Sequence, residues 1–263
     1  MRFALPMALV CLTASLLAQP PATVFLEDMT WTELRDAVAA GTTTIIIPTG
    51  GTEQNGPHMV LGKHNYLVRY KAGDIATRLG DALVAPVMAY VPEGDVDPPT
   101  NHMRFPGTIT TPPDVFEQVL EYAARSLKQH GFLDIALLGD SGGNQASQAA
   151  VAERLNREWA ATSVRVHHLT DYYPGRGDEW LVEQGVPVED VGTHAGMHDT
   201  ASLLFLDASK LRLDQMERGT GPGGNGVVGH PGRSTAAFGE RILEMQIEAA
   251  VRQIEQLRVS SRP

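Results

Sequence analysis

The sequence predicts an α/β fold, a three-layer α/β/α sandwich with a mainly parallel central sheet, and three observations lead there. Short, continuous apolar runs bounded by turn residues read as strands buried on both faces. Helical patterns stand between those runs, the alternation expected of βαβ units. No internal repeat or low-complexity tract interrupts it.

In chain order, Thr30-Trp31-Thr32-Glu33-Leu34 opens the first helix, with Thr30 and Glu33 spaced as a capping pair. Strands are expected at 44–48, 82–87 and 134–138, and helices at 66–79, 113–130, 145–162 and 235–257. In sheets of this kind chemistry gathers in the loops at the carboxyl ends of strands. Three polar or glycine-rich segments are expected there, at 50–65, 139–144 and 192–200, whereas 219–226 reads as a flexible loop.

A chain of 263 residues, 43% hydrophobic and 20% charged, suits one α/β domain with a substantial core, expected over 29–258 and followed by a short tail at 259–263. Ahead of it, Met1-Arg2 and the apolar run from Phe3 to Leu17 have the form of a signal peptide over 1–18, with a linker at 19–28. The expectation is an exported protein, periplasmic or extracellular, that does not stay in a membrane once the signal is removed. Cys11 lies within that run, so the mature chain has no thiolate for disulfides, metal or nucleophilic attack. A metal must then be held by His, Asp, Glu or Asn. The formal charge of −10 opposes a phosphate backbone, and nucleic acid is not an expected partner.

After the first strand the chain reads Pro48-Thr49-Gly50-Gly51-Thr52-Glu53-Gln54-Asn55-Gly56-Pro57-His58-Met59-Val60-Leu61-Gly62-Lys63-His64. Further on come Phe105-Pro106-Gly107-Thr108-Ile109, Gly139-Asp140-Ser141-Gly142-Gly143-Asn144, His194-Ala195-Gly196-Met197-His198-Asp199-Thr200, and Gly229-His230-Pro231 ahead of Ser234-Thr235-Ala236. In order and spacing these five segments resemble the creatininase (creatinine amidohydrolase) family. The resemblance spans nearly the whole mature chain. It implies an amidohydrolase that cleaves a C–N bond in a small or cyclic amide, with two divalent ions activating a water, and a homo-oligomeric assembly.

The ligand positions depart from the family pattern. Glu53 matches a family ligand, but Asn55 stands in place of a His, His64 in place of the bridging Asp, and Ser141 in place of the His of the glycine loop. An imidazole cannot bridge two ions as a carboxylate does, so the resemblance implies one zinc or manganese ion rather than two, held by Glu53, His64 and Asp140, or none. His194 matches the family residue that moves protons, a task suited to an imidazole. His58, His102, Ser141, Asn144 and Asp199 are the candidates to line the substrate pocket. Two alternatives stay open at this point: a binding or scaffold protein of the same fold without catalysis, and a hydrolase with Ser141 as nucleophile and His194 as base. Gly139-Asp140-Ser141-Gly142-Gly143 also matches the nucleophile motif of trypsin-like proteases, but those are double β-barrels, a poor match to a strand followed by a helix.

Overall fold

A computed structural model describes residues 23–173 and 176–260. The expected signal peptide with Cys11 and the last three residues lie outside that range. Four parallel strands form the sheet: β1 Thr44–Thr49, β2 Ala82–Val84, β3 Asp134–Gly139 and β4 Arg165–His168, in the order β2-β1-β3-β4. The register sets Ile45 beside both Leu83 and Ile135, and Leu137 beside His168. The helices are α1 Trp31–Ala39, α2 Lys63–Leu79, α3 Pro113–Gln129, α4 Gln145–Glu158, α5 Gly177–Glu183, α6 Val188–Val191, α7 Met197–Asp207 and α8 Ala236–Ser260.

Alternate side chains of β1 and β3 go to opposite layers, as the pleat requires. Ile45, Ile47, Ile135 and Leu137 pack with Phe116 and Leu120 of α3 and Val151 and Leu155 of α4. Ile46, Ala136 and Leu138 pack with Val68 and Ile75 of α2 and Ile247 and Ile254 of α8. This is the expected three-layer sandwich. Thr30 closes the predicted capping box: its Oγ1 accepts from the Glu33 amide at 3.3 Å, and its own amide donates to the Glu33 carboxylate at 2.7 Å.

The differences from expectation lie at short or polar elements. Helix α2 begins at Lys63 rather than at 66, and β2 stops at Val84, ahead of Pro86, which has no amide to give a ladder. Helix α4 ends at Glu158, and α8 runs on to Ser260, beyond both the expected helix end and the expected domain end. Strand β4 went unpredicted because Arg165-Val166-His167-His168 offers one aliphatic residue in four. Helix α7 takes up the last four residues of the segment expected as a loop at 192–200. It packs on α8 so closely that a Cβ on Gly239 would fall 1.9 Å from the carbonyl oxygen of Ala201.

Candidate functional site

Strands β1 and β3 are neighbours, so the loops that leave Thr49 and Gly139 emerge side by side. Asn144 clamps them together: its Nδ2 donates to Thr49 Oγ1 and to the Gly50 carbonyl, each at 2.9 Å. Fully buried and absent from the cavity wall, Asn144 orders the strand ends rather than facing a substrate. Asn65 ties the first loop to α2 by accepting from the Gly51 amide at 3.1 Å. Above these loops lies a cavity of about 790 Å³, the size of a small-molecule site. Glu53, Lys63, Glu93, His102, Ser141, Tyr173, His194 and Asp199 reach its wall.

Of the expected ligands, Glu53, His64 and Asp140 do come together, as a hydrogen-bonded chain. His64 Nε2 lies 2.8 Å from Glu53 Oε1, and its Nδ1 lies 2.9 Å from Asp140 Oδ2. Both ring nitrogens therefore donate to carboxylates and neither is left for a metal. Burial opposes charging this ring, but the two carboxylates outweigh it and raise its pKa. Asp140 is saturated as well, since its Oδ1 accepts from Lys71 Nζ and from the Tyr172 hydroxyl, each at 2.5 Å. Burial would raise the Asp140 carboxyl, yet Lys71 and His64 hold it well below the usual range.

A different trio converges on the cavity. One ligand atom each from Glu53, His102 and His194 lies within 4.8 Å of the others. His194 is placed by a bridge to Val228, and its Nε2 lies 2.9 Å from the Gln54 carbonyl oxygen, to which it donates. That leaves Nδ1 as a lone pair 3.7 Å from Glu53 Oε1. His102 Nε2 lies 3.2 Å from the buried Glu53 Oε2 and, because Nδ1 accepts from Gln54, it is the nitrogen that carries the ring's proton. Burial lowers the pKa of both imidazoles, His194 to about 4, so they are neutral near pH 7. Burial alone would raise the Glu53 carboxyl, but His64 and Lys63 hold it well below the ordinary range.

This arrangement is a test of what the site can hold. Asn55 turns its Nδ2 to the backbone carbonyls of Glu53 and Val60, His64 has no free nitrogen, and Ser141 offers a hydroxyl, so a two-ion centre does not fit. One divalent ion fits the donor set: two neutral imidazoles face an ionised carboxylate, His194 with Nδ1 free and His102 once its Nε2 has lost the proton that faces Glu53. Among the described residues no hydrogen bond joins Ser141 Oγ to an imidazole. Its one described contact is from the Gly143 amide, at 3.4 Å.

The remaining expected residues have structural partners. Asp199 Oδ2 accepts from Lys63 Nζ at 2.9 Å and from the Ala195 amide at 2.8 Å, which fixes the turn that carries His194. His58 is buried away from the cavity wall, its Nε2 3.0 Å from Thr200 Oγ1, and burial lowers its pKa to about 4. An imidazole depressed in the fold binds fewer protons than in the unfolded chain, so its stabilisation is present above pH 6.5 and is lost as pH falls toward 4. His58 is thus expected to cost about 3 kcal/mol of stability across that window. Urea unfolding from pH 7 to pH 4.5 should show a loss to which His194, depressed to the same value, and His102 also contribute, and His58→Gln should reduce it by the His58 share. An unchanged slope in the variant would contradict the assignment. The stabilisation due to His64, whose pKa is raised, is complete below 6.5 and does not confound the window.

Sequence reasoning missed Lys63, Gln54 and Glu93. Lys63 falls at an unspecified position of the opening motif. Gln54 lies within the motif beside a ligand, and its amide donates to the Gly226 carbonyl and to His102 Nδ1, each at 3.1 Å. Glu93 comes from a Pro-Glu-Gly turn with no motif. It is 4% exposed, with one carboxyl oxygen unpartnered, and packs over Gly51, where a Cβ would meet it at 2.4 Å. Burial and the adjacent Glu53 raise its pKa to about 10, so it carries a proton at neutral pH.

Comparison with known proteins identifies the family and the fold. The chain is 30% identical over 233 residues to the mycofactocin precursor peptide peptidase of Mycolicibacterium smegmatis, covering 80% of this chain and 84% of that protein. It is 26% identical over 204 residues to the creatinine amidohydrolase of Pseudomonas putida, covering 73% and 75%. A crystal structure of creatininase superposes with a TM-score of 0.77 at 23% identity, over 90% of this chain and 98% of that one. A manganese form of creatininase gives 0.76 at 23% identity, over 92% and 100%. The model of the family described as creatininase, creatinine amidohydrolase, matches residues 27–254, and the chain belongs to that family of hydrolases acting on carbon–nitrogen bonds.

Proposed function

We propose that this chain is an exported, single-ion hydrolase that cleaves the C–N bond of a small or cyclic amide in the cavity above β1 and β3. The observation that carries the reading is the buried, ionised Glu53 carboxylate facing two neutral imidazoles, with one ligand atom of each within 4.8 Å of the others. Glu53, His102 and His194 would hold the ion, zinc or manganese by the chemistry of the donors. When bound, such an ion supplies Lewis acidity toward a carbonyl and toward water. Glu53 and His194 are already in the protonation states that binding requires, whereas neutral His102, whose Nδ1 accepts from Gln54, has to free its Nε2 of a proton. Gln54 holds both rings in place through its amide and its carbonyl oxygen.

On this reading His194 is a ligand, and the proton moves elsewhere. Glu93 carries one beside the site, and a departing amine needs one. The carboxyl is shielded from bulk water, which keeps it protonated until a stronger base forms next to it. The cavity volume suits a compact substrate.

The test combines metal analysis with turnover. Protein purified without chelators should carry about one equivalent of ion and hydrolyse members of a panel of small linear and cyclic amides. Glu93→Gln should lower kcat about a hundredfold while the ion stays bound. Metal-free protein that loses all turnover on Ser141→Ala would overturn the reading in favour of a serine hydrolase. Protein with neither ion nor turnover would leave a binding protein.

A further inference from the structure

Beside Glu53 the site carries a positive charge of its own, the Lys63 ammonium. Lys63 is 1% exposed and reaches the cavity wall. Burying an ammonium is costly unless it is paired. Here Asp199 lies 2.9 Å away and Glu53 Oε1 3.8 Å away. Lys63 is also the first residue of α2, where the positive end of the helix dipole disfavours a cation. The next residue, His64, takes the position at which the family resemblance expects a bridging carboxylate, and it joins Glu53 to Asp140. A stretch expected to bring negative charge to a pair of ions thus brings a fixed ammonium and an imidazole bonded to two carboxylates.

Among the described residues along the wall, Lys63 is the one lysine or arginine. Its ammonium has three donors. One goes to Asp199, and the distance to Glu53 exceeds hydrogen-bond reach, so donor capacity remains at the edge of the cavity. The acceptor that a bound amide offers is its carbonyl oxygen, which gains negative charge when water adds to the carbon.

We infer that Lys63 takes the place of a second ion: its ammonium limits the site to one divalent cation and donates a hydrogen bond to the substrate carbonyl oxygen as that oxygen becomes anionic. The inference rests on the single-ion reading above and adds a catalytic residue to it. The carbonyl bond is polarised by a donor that needs no proton transfer of its own, so Lys63 begins and ends the cycle as an ammonium.

Calorimetric titration of metal-stripped protein with Zn²⁺ or Mn²⁺ tests it, together with kinetics on the amide that the wild type cleaves. The wild type should take up one ion per chain. Lys63→Gln removes a like charge near a ligand oxygen, so the ion should bind at least tenfold tighter while kcat falls at least a hundredfold and KM stays within threefold. Tighter metal binding with slower turnover is a pairing that a merely structural lysine does not give. Lys63→Arg keeps the charge and should return metal affinity to within threefold of wild type.

Uptake of two ions by the wild type, or one ion bound no more tightly by Lys63→Gln, would overturn the role of Lys63 and leave the hydrolase reading standing. A wild type that binds no ion would remove the single-ion reading first, and this inference with it. If Lys63→Gln does not fold, the charge-balanced Lys63→Gln/Asp199→Asn pair carries the kinetic test. A hundredfold loss of kcat in a folded pair supports the inference, and retained turnover overturns it.

Discussion

Glu53→Gln is expected to remove the bound ion and nearly all hydrolysis while leaving the fold intact. The substitution keeps the shape of the side chain and removes its charge. In the native chain Oε1 accepts from His64 and Oε2 faces His102, so the amide can keep its oxygen toward His64 and turn its NH2 toward the imidazoles. That NH2 then occupies the place where an ion would meet a carboxylate oxygen. Loss of groups that merely orient metal ligands costs about ten- to a hundredfold in affinity. Loss of the anionic ligand itself should therefore cost about a hundredfold or more. Metal content after dialysis and turnover on the selected amide check this, with circular dichroism as the control for folding. A variant that keeps both its ion and its rate would show that Glu53 is not the anchor.

The layers of the fold were legible because continuous runs such as Ile45-Ile46-Ile47 and Ile135-Ala136-Leu137-Leu138 admit burial on both faces and little else. That the loops after β1 and β3 meet at one edge followed from a parallel sheet. Where each side chain points did not follow. His64, Asp140 and Glu53 were legible as neighbours, but no spacing rule says that an imidazole will spend both nitrogens on carboxylates rather than on a metal. His102 was legible as a pocket residue. Its approach to Glu53 depends on the turn through Asn101, at φ +45°, which periodicity does not reveal. Lys63 and Glu93 were hidden for a simpler reason. Lysine and glutamate are ordinarily exposed, and nothing local announces burial at 1% and 4%.

Asp140→Ala should be the most destabilising change in the site region. One buried carboxylate accepts from Lys71, Tyr172 and His64, and Lys71 reaches Gln246 of α8 at 3.1 Å, so the group links β3, α2 and α8. Truncation leaves the buried Lys71 ammonium without its counter-ion, the situation that costs about 3–5 kcal/mol. For a chain of this size the loss corresponds to a fall of about 10 °C in Tm. Replacing the pair by apolar groups of similar shape, as in Lys71→Met/Asp140→Leu, should recover part of it, because no buried charge is then stranded. The two variants also separate scaffold from chemistry. If Asp140 acts through His64 and not on an ion, folded Asp140→Ala protein still takes up metal at Glu53, His102 and His194, with affinity altered through the freed imidazole. Complete loss of metal from folded protein would instead return Asp140 to the ligand set.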